Sequence, residues 1–168
     1  MPRLILARHA KAEAPQPGLD DHSRALTVQG RDDAARLAER LQALGLHPDV
    51  VLVSSANRTV QTFKRMATVW DDVAVSIEEE LYECGTERFM TVLARVRDAD
   101  TVLVVGHEPT TSHVAAWLSG VGSLKEPLRR VSRGMPTAAA AVLDLDGLWA
   151  EIGPDCARLV DVVEGKLE

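Results

Sequence analysis

Four apolar residues in succession, Leu4-Ile5-Leu6-Ala7, stop at the polar pair Arg8-His9. A short run with no polar alternate is what a strand covered on both faces requires. It predicts a buried first strand with Arg8 and His9 at its C-terminal tip. Val50-Val51-Leu52-Val53 has the same form and leads into Ser54-Ser55-Ala56-Asn57; Thr101 to Val105 has it again and ends at Gly106-His107. Between these runs the period becomes helical. Ala34, Leu37, Ala38, Leu41 and Leu44 recur on one face, with Thr27 as N-cap and Gly45 as a stop. Val60, Phe63, Met66 or Ala67, and Trp70 mark a second helix, which puts Arg58 in its first turn. A short strand near Val73 to Ile77 is followed by an acidic stretch, Glu78 to Glu83, and then by a helix carrying Phe89, Val92, Leu93 and Val96. Thr111, Val114, Ala115 and Leu118 form the stripe of a helix after His107.

The segments that lack a period read as loops. Glu13 to Ser23 holds Pro15, Pro17 and Gly18, and Gly120 to Pro136 is loop-like and basic, with Lys125, Arg129, Arg130 and Arg133. Thr137 to Leu145 and Arg158 to Val163 read as two closing strands. Strand and helix in alternation predict an α/β fold, a three-layer α/β/α sandwich around a mostly parallel central sheet. The 168 residues, 46% of them hydrophobic, suit one domain spanning 1–168.

Charge and composition narrow the function. A formal charge of −6 argues against coating nucleic acid or an anionic membrane, because both depend on excess Lys and Arg. No apolar run approaches the ~20 residues of a membrane span, and the N-terminus lacks an export-type cleavage region; a cytoplasmic location is the expectation. The two cysteines, Cys84 and Cys156, form no CxxC pair and suggest neither zinc site nor disulfide.

The chemistry lies at the strand ends. Ligands of an open parallel sheet gather at the C-terminal edge of the strands, so Arg8, His9, Arg58 and His107 are expected around one spot, although 49 residues separate Arg58 from each histidine. Two planar, permanently charged guanidinium groups suit the oxygens of a phosphoryl dianion. Helix N-termini after Ser55 and after His107 would add backbone N–H donors. Cys-x5-Arg, the spacing of cysteine phosphatases, fails because Met90 and Val162 stand where arginine is needed. That leaves a histidine as nucleophile, and His9 is preferred. A neutral imidazole can attack phosphorus if one ring nitrogen is held as a donor by a carbonyl. His107 would then donate to a phosphoryl oxygen.

Arg8-His9-Ala10, the stretch Ser54-Ser55-Ala56-Asn57-Arg58-Thr59-Val60-Gln61-Thr62, and Val105-Gly106-His107-Glu108-Pro109 together resemble the motifs of the histidine phosphatase superfamily, also called phosphoglycerate mutase-like. Within it the chain looks like the small SixA-type phosphohistidine phosphatases. Arg24-Ala25-Leu26-Thr27 with Gly30, and Glu80-Leu81-Tyr82, are further similar stretches. Ala10 departs from the glycine common in relatives. The resemblance implies a phosphoglycerate mutase-like fold and a covalent phosphohistidine on His9 that water hydrolyses. Arg8, Arg58 and His107 would hold the phosphoryl group, Ser55 and Arg24 would join the substrate-binding set, and no metal or cofactor is implied. It also implies a general acid, Glu83, with Glu80 as the runner-up; a solvated acidic loop is the alternative for both.

The expected substrate is a protein phosphohistidine, carried on a phosphorylated partner domain, since only 49 residues separate Arg58 from His107 and leave no room for a large lid. A small-molecule phosphomonoesterase and a non-catalytic phosphate-binding module are the alternatives. A mutase is disfavoured, because it must keep the phosphoryl group from water. Other rivals fail on pattern. His107-Glu108-Pro109-Thr110-Thr111 lacks the second histidine of a zincin, and Asp144-Leu145-Asp146 is followed by only 22 residues. His22 and His47 read as ordinary histidines; His113 is nearer the site. The basic stretch from Lys125 to Arg133 is a solvated loop or a docking surface.

Overall fold

The computed structural model describes residues 1–168. β1 (Arg3–Arg8), β2 (Val50–Ser54), β3 (Ala74–Glu78) and β4 (Thr101–Gly106) run parallel, while β5 (Ala139–Leu145) and β6 (Ala157–Glu164) close one edge antiparallel, in the order β3-β2-β4-β1-β5-β6. Consecutive residues of the buried strands feed opposite cores. Leu4, Leu6, Val102, Val104, Ala139 and Ala141 pack on one side; Ile5, Ala7, Leu103, Val105, Ala140 and Val142 pack on the other. Both faces are therefore apolar, which is why these runs show no alternation.

The two layers of helices follow from their stripes. α1 (Val28–Ala43) and α2 (Asn57–Met66) cover one face; α3 (Thr86–Leu93), α4 (Thr110–Leu118) and α5 (Lys125–Ser132) cover the other. The result is the three-layer α/β/α arrangement with a mostly parallel sheet. The Thr27 hydroxyl accepts a hydrogen bond from Gly30 N at 2.9 Å, capping α1, and Gly45 ends that segment at φ +77°. No helix is long and apolar enough to cross a membrane.

One element differs from expectation. The segment read as a loop from Gly120 to Pro136 contains α5. Its pattern is faint because only Pro127 and Val131 are buried, with Leu128 packed against the core. Pro127 is the third residue of the helix, where the backbone has no N–H partner to lose. Arg130 is not a free surface cation: it donates to Val162 O at 2.8 Å and to Glu164 Oε2 at 2.6 Å, fastening α5 to β6. Arg129 pairs with Glu126 within the helix.

The start of α1 presses directly on the segment after β1. A Cβ on Gly30 would collide with the carbonyl of Lys11, which accepts from Thr27 N at 3.0 Å. Gly30→Ala is expected to lower unfolding free energy by about 3 kcal/mol, as overpacking against backbone does. Urea denaturation followed by circular dichroism reads it; an unchanged midpoint contradicts the close approach.

Candidate active site

Register places the two histidines. Arg8 of β1 stands opposite Gly106 of β4, and His9 N donates to Gly106 O at 3.0 Å, so His9 and His107 leave neighbouring strand tips side by side. Their ring centroids are 5.5 Å apart. Thr62 then ties α2 to this edge: its hydroxyl accepts from Ala10 N at 3.0 Å and donates to Arg58 O at 2.7 Å. Arg58, the second residue of α2, is buried beside them.

Arg8, His9, Arg24, Arg58 and His107 line one cavity of about 340 Å³, joined by Lys11, Glu108 and Thr137. A hydrogen bond fixes the protonated nitrogen of His9. His9 Nδ1 lies 2.7 Å from Ala10 O, and a carbonyl can only accept, so Nδ1 carries the proton and Nε2 keeps its lone pair. His107 Nε2 lies 2.8 Å from the Ser54 hydroxyl. That hydroxyl can donate or accept, and His107 Nδ1 is buried without a partner. Arg8 Nε and Arg58 Nε are likewise buried and unpartnered. A buried polar atom costs roughly 1–3 kcal/mol while it stays unpaired.

Electrostatics keeps both imidazoles neutral at pH 7. Burial lowers the His9 pKa to about 4; the bond to Ala10 opposes this, and the charges of Arg58, Arg8 and Arg24 reinforce it. Burial lowers His107 to about 3, with His9 and Arg58 adding to the effect. Burial also pulls Arg8 below its ordinary value, while Glu108 draws it back up. Glu108 is held firmly: it accepts from Ser112 N at 2.9 Å, from the Ser112 hydroxyl, and from Met135 N at 3.2 Å. Met135 O in turn accepts from Arg8 Nη1 at 2.9 Å. No cluster of three or more His, Cys, Asp or Glu side chains is arranged to hold a metal ion.

Three expected positions stand differently. The serine that reaches His107 is Ser54; Ser55 points to the other side, its hydroxyl 2.9 Å from His22 Nε2 in a separate surface hollow with Ser23 and Asn57. Successive residues of a strand face opposite ways, and β2 runs on through Ser54. Glu83 lines an adjoining cavity of about 470 Å³ with Arg58, His107 and His113, not the one that contains His9. Glu80 is turned away into a two-pronged ion pair with Arg95, at 2.7 and 3.0 Å.

Asp21 and Tyr82 were not legible as site residues. Asp21 opens a single 3-10 turn, Asp21–Ser23, in a stretch whose sequence has no periodicity, yet its backbone carbonyl accepts from Arg58 Nη1 at 2.9 Å and its carboxylate from Arg58 Nη2 at 3.2 Å. The same carboxylate accepts from Arg24 Nε at 3.0 Å and from the Tyr82 hydroxyl at 2.6 Å. Tyr82 stands edge-on to both His22 and His107. Ser54 and Thr62, by contrast, lie inside a stretch already singled out.

Residues 4–92 match the histidine phosphatase superfamily, branch 1. An uncharacterized protein of Mycobacterium tuberculosis is 38% identical over 155 residues, which cover 91% of this chain and 96% of that one. The chain belongs to the histidine phosphatase superfamily, and is a phosphatase with a catalytic histidine. Two solved proteins that carry the provisional name phosphohistidine phosphatase SixA share its architecture. The one from Nakamurella multipartitia is 31% identical with a TM-score of 0.80, covering 96% of this chain and 94% of that one. The one from Agrobacterium tumefaciens is 28% identical with a TM-score of 0.81, covering 96% and 97%. Within the superfamily the chain falls in the SixA-type branch.

Two measurements check this electrostatic picture. The tyrosine count is one, so the tyrosinate absorbance reports Tyr82 alone. The bond to Asp21 holds its hydroxyl at about 12, and Asp21→Asn is expected to bring the titration midpoint down toward the ordinary 10; an unmoved midpoint removes the contact. For stability, both histidines ionise in the folded state below the ordinary 6.5, so the unfolded chain takes up protons first as pH falls. Their contribution is complete above pH 6.5 and drains as pH drops toward 4 for His9 and 3 for His107. Urea midpoints should therefore decline from pH 7 to 4.5, less steeply in His9→Ala.

Proposed function

We propose that the chain is a phosphohistidine phosphatase with His9 as the nucleophile. The observation that carries this reading is the His9 ring itself: Nδ1 anchored on Ala10 O at 2.7 Å, the pKa near 4, and Nε2 left with its lone pair in a cationic cavity. Nε2 attacks phosphorus, a new P–N bond forms, and the bond from phosphorus to the leaving nitrogen breaks. Arg8, Arg58 and His107 receive the phosphoryl oxygens and the charge that spreads over them in the transition state. Water then attacks the phosphorylated His9, the second P–N bond breaks, and inorganic phosphate leaves with His9 neutral again.

The leaving group decides the substrate class. An alkoxide must be protonated as it departs, whereas the imidazole of a phosphohistidine carries its own proton. The carboxylate bonded to Arg58 is a poor donor. Asp21, held by Tyr82 and two arginines, has its pKa lowered to about 2. Arg58 and His107 line both the His9 cavity and the larger adjoining hollow, and the chain between them is taken up by the rest of α2, β3, α3 and β4 with short connections. That opening suits a histidine presented on a protein. Glu83 in the adjoining cavity is what favours the second reading, a small-molecule phosphomonoesterase in which it protonates the leaving oxygen.

Phosphate release from a phosphohistidine protein, compared with a panel of phosphomonoesters, tests the proposal. The phosphohistidine protein is expected to give the higher kcat/KM, and His9→Ala to lower kcat more than about a thousandfold. Denaturing quench after mixing with a ³²P-labelled substrate should leave acid-labile label on the wild-type chain and none on His9→Ala. Faster monoester hydrolysis that depends on Glu83 supports the second reading. Binding without turnover or labelling means a phosphate-binding module.

A further inference from the structure

Lys11 and Arg24 are the cavity cations that the reaction above does not use, and of the two only Lys11 has no side-chain partner. It follows His9 by two residues and lines the same cavity as Arg8, Arg24, Arg58 and His107. Arg8 is bound to Met135 O, Arg24 to Asp21 and Glu13 O, and Arg58 to Asp21. The Lys11 ammonium has neither a hydrogen bond nor an ion pair. Its backbone is nevertheless fastened. Lys11 O accepts from Thr27 N at 3.0 Å, Gly30 closes against that carbonyl, and Ala12 bridges to Leu26. A free charge therefore stands on a fixed base at the edge of the phosphoryl pocket.

Space and charge both exceed what one phosphoryl group needs. The cavity holds about 340 Å³, several times the roughly 30 Å³ that a single water occupies in the liquid. Its wall presents four permanent cations, Arg8, Lys11, Arg24 and Arg58, against the single carboxylate of Glu108, with both histidines neutral. Asp21, on the adjoining wall, balances part of Arg24 and Arg58 and none of Lys11. A phosphoryl dianion held by Arg8 and Arg58 leaves the Lys11 side positive.

We infer that Lys11, with Arg24 beside it, forms a second anion subsite that takes a carboxylate carried by the substrate close to its phosphoryl group. This rests on the phosphatase reading of the His9 cavity. A carboxylate there replaces no existing partner of Lys11, so the ammonium gains an ion pair without breaking one. The carboxylate comes either from an acidic side chain flanking a phosphohistidine or from a small phosphorylated acid.

Two matched substrate pairs separate these sources: a phosphohistidine peptide with Glu or Gln as the next residue, and phosphoglycolate against ethyl phosphate. In the wild type the acidic member of at least one pair is expected to have about fivefold higher kcat/KM, the upper range for a solvent-exposed ion pair. That preference should vanish in Lys11→Gln, persist in Lys11→Arg, and shrink between low and 0.15 M salt as screening sets in. A preference confined to the peptides assigns the carboxylate to a protein, and one confined to the small molecules assigns it to a metabolite. No preference in the wild type, or one that survives Lys11→Gln, overturns the subsite while p-nitrophenyl phosphate turnover still upholds the phosphatase. Absence of turnover on every phosphoryl compound overturns the phosphatase reading, and the subsite with it.

Discussion

The alignment of β1 with β4, Arg8 opposite Gly106, is the constraint on which the site depends. Each strand is buried on both faces and contributes alternate residues to opposite cores. A slip of one residue would send every one of those side chains to the wrong side, so the register is held by the whole apolar content of the sheet. His9 and His107 follow the last paired residues of the two strands. Their separation is thus inherited from core packing rather than from any attraction between the rings; at this distance His9 lowers the basicity of His107.

Cations that converge in an acidic chain need a structural means of staying together. Much of it is backbone: Met135 O holds Arg8, Asp21 O and Glu13 O hold Arg58 and Arg24, and Ala10 O holds His9. Neutral acceptors orient a donor without cancelling its charge, which leaves the positive potential directed at a substrate. Asp21 is the exception. Its carboxylate joins Arg58, Arg24 and Tyr82 in one network, bringing the loop after β1, the start of α2 and the segment after β3 to a common point. The same loop region bears Lys11 on its fixed carbonyl, so positioning and recognition share one piece of chain.

Burial has a second effect at this edge. It removes protons from both imidazoles and so makes a nucleophile available at neutral pH, while the guanidinium groups retain their charge. The permanent cations and the neutral nitrogen base coexist because an arginine starts so far above neutrality that partial desolvation does not discharge it. Histidine, starting at 6.5, does not have that margin.

Much of the architecture was legible in the chain alone. Uninterrupted apolar runs marked β1, β2 and β4, and helical spacing with Thr27 and Gly45 bounded α1, because burial on two faces or on one stripe leaves a local imprint. α5 escaped because its few buried positions include a proline, and composition outweighed period. The site was legible only in part. Arg8, His9, Arg58 and His107 stood at strand ends, where topology gathers ligands, but nothing local said that Ser54 rather than Ser55 would face His107, that Glu80 would turn to Arg95, or that Asp21 would clasp Arg58. Those outcomes depend on which way a side chain points and on what lies across a gap of tens of residues. Sequence determines the elements through free energies summed over neighbouring residues, whereas contacts between distant segments exist only once the sheet has closed and excluded the alternatives.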